Sequence, residues 1–317
     1  MFENGCDEIV GTSAHSDAIR RFTSEAAKTN APVMLVGEPG VGKDFVARRV
    51  HVESRRRDQP FLMIDCSLYY ERELKREVFG YHGIGKTAKS RKGLFEFASR
   101  GTCYLSRIEE ITPSLQQDLF DFLNTGKFRR LGDGRERTSQ VRLIVSTDKN
   151  LRGFVEGGLF RSDLHGALSP TELQVAPLRE RNVDVVALAL CLAEESRRDK
   201  ELVEAQKFSD ECLEALKCFP WPRNFDELKK EVGRLLEIKS ETLNLQDLSF
   251  EISSFWMGLR GDPEVRKVIE ELDGYIREFQ VLSHLEAEFG DILFNIADWE
   301  AADEEEQTRN LLGQDFY

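Results

Sequence analysis

Apolar residues change their period along this chain, and the change divides it. In the first part, short apolar or β-branched runs recur at Ala31–Val36, Phe61–Ile64, Thr102–Leu105 and Val141–Ser146, bounded by turn residues such as Asn30 and Gly37. Runs this short predict buried strands. Between them, Ala18–Lys28, Lys43–Val52 and Leu115–Leu123 carry apolar residues at three- and four-residue steps, as Phe45, Val46 and Val50 do, and these predict helices. Strands alternating with helices imply an α/β fold with a parallel sheet covered on both faces.

After Pro177 the strand signals cease. Val183–Glu195, Asp210–Cys218 and Asn224–Ile238 read as helices, and Pro220-Trp221-Pro222 separates the last two because proline cannot continue a helix. Further on, Val265, Ile269, Leu272, Ile276 and Phe279 trace one more amphipathic helix, packed on the helical domain or offered to a partner. The expected organisation is an α/β domain over residues 1–177, a small all-α domain over 178–245 and an acidic helical C-terminal extension over 246–317.

Charge sharpens this division. The formal net charge is -13, yet Glu251–Tyr317 holds 17 acidic and 5 basic residues, so the preceding chain is close to neutral. An acidic tail repels phosphate, which argues against a terminal DNA-binding domain there. Six cysteines are scattered without a C-x-x-C pair, predicting reduced, mostly buried thiols and no zinc site. No signal-peptide pattern or membrane-length apolar run occurs, so a cytoplasmic protein without a membrane partner is expected.

The candidate chemistry lies after the first strand. Gly37-Glu38-Pro39-Gly40-Val41-Gly42-Lys43-Asp44 fits G-x-x-x-x-G-K, the phosphate-binding loop. Glycine lets backbone N–H groups wrap a phosphate without Cβ clashes, the following helix presents its positive end, and Lys43 supplies a point charge. Asp44 stands where many such loops carry the Ser or Thr that holds magnesium. The candidate cofactor is therefore ATP or ADP, with magnesium in question. Val10 and Gly11, in the lead-in segment, join residues 37–44 as candidate nucleotide contacts.

From Ile9 to Ile238 the chain resembles the AAA+ ATPase core of the sigma-54 activators. Gly37–Ala47 is similar to the family's G-E-S-G-T-G-K-E-x-V-A, and Pro60–Cys66 to P-F-V-x-V-N-C. Glu77–Gly80, Arg91–Glu96, Gly101-Thr102, Gly126–Gly132, Pro177–Arg181 and Phe219–Asn224 follow in the family's order. The resemblance implies a P-loop AAA+ domain followed by a helical lid, a ring of subunits binding ATP between them, and remodelling of the sigma-54 polymerase.

Several residues that the resemblance assigns to hydrolysis or output are replaced. The Walker B strand should end in Asp-Glu, the metal ligand and water-polarising base, but here Ser106-Arg107 follows Leu105. Glu109 or Glu110 would have to reach inward to substitute. The sensor Asn corresponds to Asp148, a carboxylate expected to repel a terminal phosphate. Of two arginine fingers, Arg161 remains, either as a finger or as a surface partner of Asp163, while Ala167 stands at the second. The lid arginine corresponds to Asp226, and Lys86 replaces the phenylalanine of the sigma-54 contact loop.

These losses share one consequence, a phosphate site without its metal ligand, base and part of its charge clamp. A regulatory binding protein that keeps nucleotide but hydrolyses it poorly is therefore expected, acting through an active relative, RNA polymerase sigma-54 or its own oligomer. An active ATPase using substitute residues, and a structural module without nucleotide, are the alternatives. The core starts within about ten residues of Met1, so a receiver domain before it is not expected.

Overall fold

A computed structural model describes residues 8–83, 89–199, 206–238 and 240–259. Lys86 and the amphipathic pattern from Val265 to Phe279 lie outside these residues. Five parallel strands build the central sheet: β1 (Val33–Val36), β2 (Phe61–Asp65), β3 (Thr102–Ser106), β4 (Arg142–Thr147) and β5 (Glu172–Gln174). Their spatial order is β2-β3-β4-β1-β5, with every pairing parallel. Four strands stand where the apolar runs predict them. The fifth, Glu172-Leu-Gln, is a short edge strand with exposed outer residues and leaves no apolar run to read.

The strands alternate between two cores, as a sheet buried on both faces must. Met34, Leu105, Leu143 and Val145 face one apolar cluster, whereas Val33, Leu35, Tyr104 and Ile144 face the other. Helices α1 (Ala14–Ala27) and α2 (Lys43–Val52) cover the second face through Ile19, Val46, Ala47 and Val50. Helices α3 (Glu71–Phe79) and α4 (Pro113–Thr125) belong to the first, where Phe79, Phe95 and Phe122 interlock, Phe95 and Phe122 with centroids 4.4 Å apart. The short helix α5 (Ser162–Leu168) closes that side through Leu164 and Leu168.

The lid carries α6 (Val185–Asp199), α7 (Asp210–Cys218) and α8 (Asn224–Leu235). It is not wholly helical, because Lys207–Phe208 pairs in parallel with Thr242–Leu243. Two residues per strand are too few to leave a period-2 pattern, which is why the sequence reads as all-α there. The chain divides into two compact units, Met1–Ser249 and Phe250–Tyr317, and in the second a helix spans Phe250–Leu259.

Cys66, Cys103 and Cys212 are buried free thiols and Cys218 a half-buried one, as the scattered spacing predicts. Cys191 departs from that expectation, being disulfide-bonded. Spacing along a chain cannot foresee a bridge that tertiary packing closes. Among the described residues no helix is long and apolar enough to cross a membrane.

Candidate functional site

Strand register brings the candidate residues together. Val36 at the end of β1 lies beside Thr147 at the end of β4, and Gly37 N–H donates to the Thr147 carbonyl at 3.3 Å. The loop after β1 therefore starts next to Asp148, and β3 delivers Ser106 and Arg107 on the other side of β4. A cavity of about 720 Å³ opens at these carboxyl ends, the position where open parallel sheets hold ligands. Its volume falls within the roughly 300–1,000 Å³ of small-molecule sites. Val10 and all the residues from Pro39 to Asp44 line it, as do Ser106, Arg107, Asp148 and Asp226.

Gly40 and Gly42 adopt φ of 75° and 94°, where a Cβ is strained. Gly42 caps α2 without any side-chain hydrogen bond, so the cap residue itself covers none of the first-turn N–H groups. Gly40 is small for a second reason. A Cβ there would sit 2.4 Å from the Arg223 carbonyl, because the lid presses on the loop.

That contact is specific. Asn224, buried and at φ 53°, donates to the Pro39 carbonyl at 3.0 Å and to Glu38 at 3.1 Å, and accepts from Leu178 N–H at 2.9 Å. Phe225 N–H donates to the Gly40 carbonyl at 2.9 Å, and buried Arg181 donates to the Val41 carbonyl at 3.0 Å. Arg179 forks onto Glu38, and that hydrogen-bonded guanidinium holds the Glu38 carboxyl below its ordinary range. In the sequence Pro177–Arg181 and Phe219–Asn224 stand out only as landmarks, since nothing in their spacing says which loop they grip.

The other cavity wall depends on a buried carboxylate that carries no signal in the sequence. Asp184, at the start of the lid, is fully buried and accepts from Thr12 N–H at 2.7 Å, Ser13 N–H at 2.8 Å, Ser13 Oγ at 2.5 Å and Ser16 Oγ at 2.7 Å. Burial raises its pKa, but these donors outweigh burial and hold it below the ordinary aspartate value. Gly11, at φ 123°, leaves room for this carboxylate. Ile9 and Val10 on one side, and Leu188 and Leu192 of α6 on the other, thereby become one apolar wall.

Where β3 and β4 end, Arg107 and Asp148 are each paired with an opposite charge. Arg107, itself left-handed at φ 52°, forms an ion pair with Asp65 at the end of β2. Lys43 Nζ meets Asp148 Oδ1 at 2.5 Å. The expectation that Asp148 acts by repelling phosphate is thus refined: its carboxylate neutralises the lysine. Glu109 is buried and is not among the residues lining the cavity; it accepts Asp148 N–H at 3.1 Å, and its second oxygen has no hydrogen-bond partner among the described residues. Glu110 is exposed, so neither glutamate stands at the end of β3. Within the chain Arg161 forks onto Asp163 at 2.6 and 3.0 Å. Partial desolvation, and then the neighbouring Asp44 carboxylate, push Asp226 above its ordinary value.

The family described as "Sigma-54 interaction domain" matches residues 9–174, and an AAA+ ATPase lid domain matches 179–255. The nitric oxide reductase transcription regulator NorR2 of Cupriavidus necator is 37% identical over 232 residues, covering 72% of this chain and 44% of the relative. The DNA-binding transcriptional regulator NtrC of Rhizobium meliloti is 34% identical over 229 residues, covering 72% of this chain and 47% of the relative. The chain thus spans about half the length of the curated relatives it matches. Among solved structures, NtrX from Brucella abortus in complex with ADP aligns with a TM-score of 0.72 at 27% identity, covering 83% of this chain and 62% of that one. The same protein with ATP gives 0.72 at 26% identity, covering 83% of this chain and 61% of that one.

Proposed function

The chain belongs to the sigma-54 activator family of AAA+ proteins, and from that membership we propose that it is a nucleotide-binding regulatory protein that holds ATP or ADP and hydrolyses ATP poorly or not at all. One observation carries the reading: a phosphate loop kept in shape and gripped by the lid faces a β3 end whose two residues, Ser106 and Arg107, hold no carboxylate. The loop, the Lys43 ammonium and the first turn of α2 are the parts that bind phosphate. Ile9, Val10, Leu188 and Leu192 supply an apolar wall suited to a purine ring.

Hydrolysis needs a group that takes a proton from water, and none is delivered to the cavity in the usual place. Arg107 is a cation tied to Asp65, and Glu109 supports the loop at Asp148. A magnesium ion needs oxygen donors free to face it. Ser106 offers a neutral oxygen, while Asp65 and Asp148 are engaged by Arg107 and Lys43. Among the described residues no group of three or more His, Cys, Asp or Glu is placed to hold a metal. Asp44 and Asp226 also line the cavity with carboxylates, and the proposal is that this reduced set holds magnesium poorly. NorR2 and NtrC are transcription regulators by name, and regulation of transcription through contacts with an active relative or the sigma-54 polymerase is the role proposed for this chain.

Titration with a fluorescent ATP analogue tests the reading. Lys43→Ala is expected to weaken binding roughly 10- to 100-fold, as removal of one charge-assisted hydrogen bond to phosphate implies. Affinity for the unaltered chain is expected to be the same in EDTA as in magnesium. Phosphate release is expected to match that of the Lys43→Ala variant, and Lys43-dependent turnover would sink the proposal. The pairing of Lys43 with Asp148 favours a second reading, a self-satisfied loop kept only as structure. Absence of any Lys43-dependent binding would select it.

A further inference from the structure

We propose that Asp148 is a built-in competitor for phosphate, which keeps Lys43 neutralised until nucleotide binds and sets the affinity for that nucleotide. This inference rests on the nucleotide-binding reading and deepens it. An ammonium has three protons to donate. Lys43 uses them on the Gly37 carbonyl at 2.8 Å, the Glu38 carbonyl at 2.9 Å and Asp148 Oδ1 at 2.5 Å. Its donors are therefore fully engaged by the protein itself. The two carbonyls are neutral and belong to the loop, and Asp148 is the anionic partner.

The position of Asp148 is set by the fold rather than by a mobile surface rotamer. It follows β4 directly, and β4 is in register with β1, so the residue after each strand meets its counterpart. Its own N–H is held by Glu109 at 3.1 Å, and Thr147 Oγ1 accepts from the next N–H at 3.0 Å. The paired side chains are only 10% and 20% exposed, so water screens them little. Arg107, another cation lining the cavity, is matched with Asp65, and Arg181 donates to the Val41 carbonyl of the loop. A phosphate group must therefore displace Asp148 from Lys43, and part of its binding free energy goes into breaking that pair.

Asp148→Asn keeps the shape and the backbone contact to Glu109 while removing the charge, and Asp148→Ala removes the competing oxygen altogether. Titrated with a fluorescent ATP analogue, both variants are expected to bind on the order of tenfold tighter than the unaltered chain. The gain should vanish in the Lys43→Ala/Asp148→Asn double variant. A thermal melt without nucleotide accompanies each titration. If the unaltered chain binds through Lys43 and both single variants bind equally or more weakly, Asp148 is a structural or ligand-supporting residue and the competition is refuted. If only the variants bind, the competition is supported in its strongest form. If neither the unaltered chain nor a folded variant binds, this inference and the nucleotide-binding function fall together.

Discussion

Replacing Asp184 with alanine is expected to lower the unfolding free energy by about 3–5 kcal/mol at neutral pH, measured by urea denaturation. The carboxylate satisfies four donors from Thr12, Ser13 and Ser16 at a fully buried position. Its removal leaves those N–H and O–H groups without an acceptor, at about 1–3 kcal/mol for each one left dry. Water entering the vacated space limits the total. Asp184→Asn keeps an acceptor oxygen and is expected to lose about half as much.

The pH dependence has a definite sign. The folded pKa of Asp184 is depressed, so its contribution is complete above the unfolded value of about 4 and disappears as pH falls through the folded value. The gap between the unaltered chain and the alanine variant should therefore be widest above about pH 5 and narrow below about 4. A loss under about 1 kcal/mol at pH 7 would mean that the four contacts are not a stabilising unit. Because this carboxylate ties the Ile9-Val10 wall to α6, nucleotide affinity should fall with it.

Trp221→Ala is expected to cost about 3–5 kcal/mol, the range for truncating a buried large aromatic residue. Trp221 is fully buried, donates from its indole N–H to the Leu216 carbonyl at 2.8 Å, and packs edge-on against Phe219 with centroids 5.1 Å apart. It does so at φ 49°, a conformation a bulky residue adopts only when its surroundings require it. Its carbonyl accepts from Asn224 N–H at 2.8 Å, so the truncation also loosens the residue that grips Pro39 and Glu38. Loss of stability should come with weaker nucleotide binding, seen by comparing urea midpoints with and without saturating ADP. Trp221→Phe, which keeps much of the volume but not the N–H, should lose less stability. An alanine variant as stable as the unaltered chain would show that the turn between α7 and α8 repacks without its anchor.

Much of this is legible from local pattern. β1 to β4 stand on the short apolar runs, and α2 begins at Lys43 after Gly42, as the glycine-rich loop requires. The candidate residues Pro39–Asp44, Val10, Ser106, Arg107 and Asp148 all meet in one cavity. What is not legible is who pairs with whom. The sequence suggests that Asp148 acts on a phosphate, but the register of β4 against β1 puts it on Lys43. Glu109 is a candidate replacement base by position, and its side chain instead serves the Asp148 backbone. Asn224 stands out only as the end of a landmark, with nothing to say what it grips, and Asp184 gives no signal at all, since an aspartate ahead of an apolar run is an ordinary surface choice in a sequence.

The boundary between the two kinds of information is physical. Strand, helix and phosphate loop follow from interactions within a few residues: the period of apolar side chains, the φ freedom of glycine and the helix end that follows it. Those the amino-acid order determined unaided, together with the absence of a carboxylate at Ser106 and Arg107 after Leu105. Partner choice among charges joins residues as far apart as Lys43 and Asp148, Asp65 and Arg107, or Ser13 and Asp184. Such pairs exist only once the sheet order and lid position are set, because charge interactions depend on distance and burial, and neither is written in sequence separation.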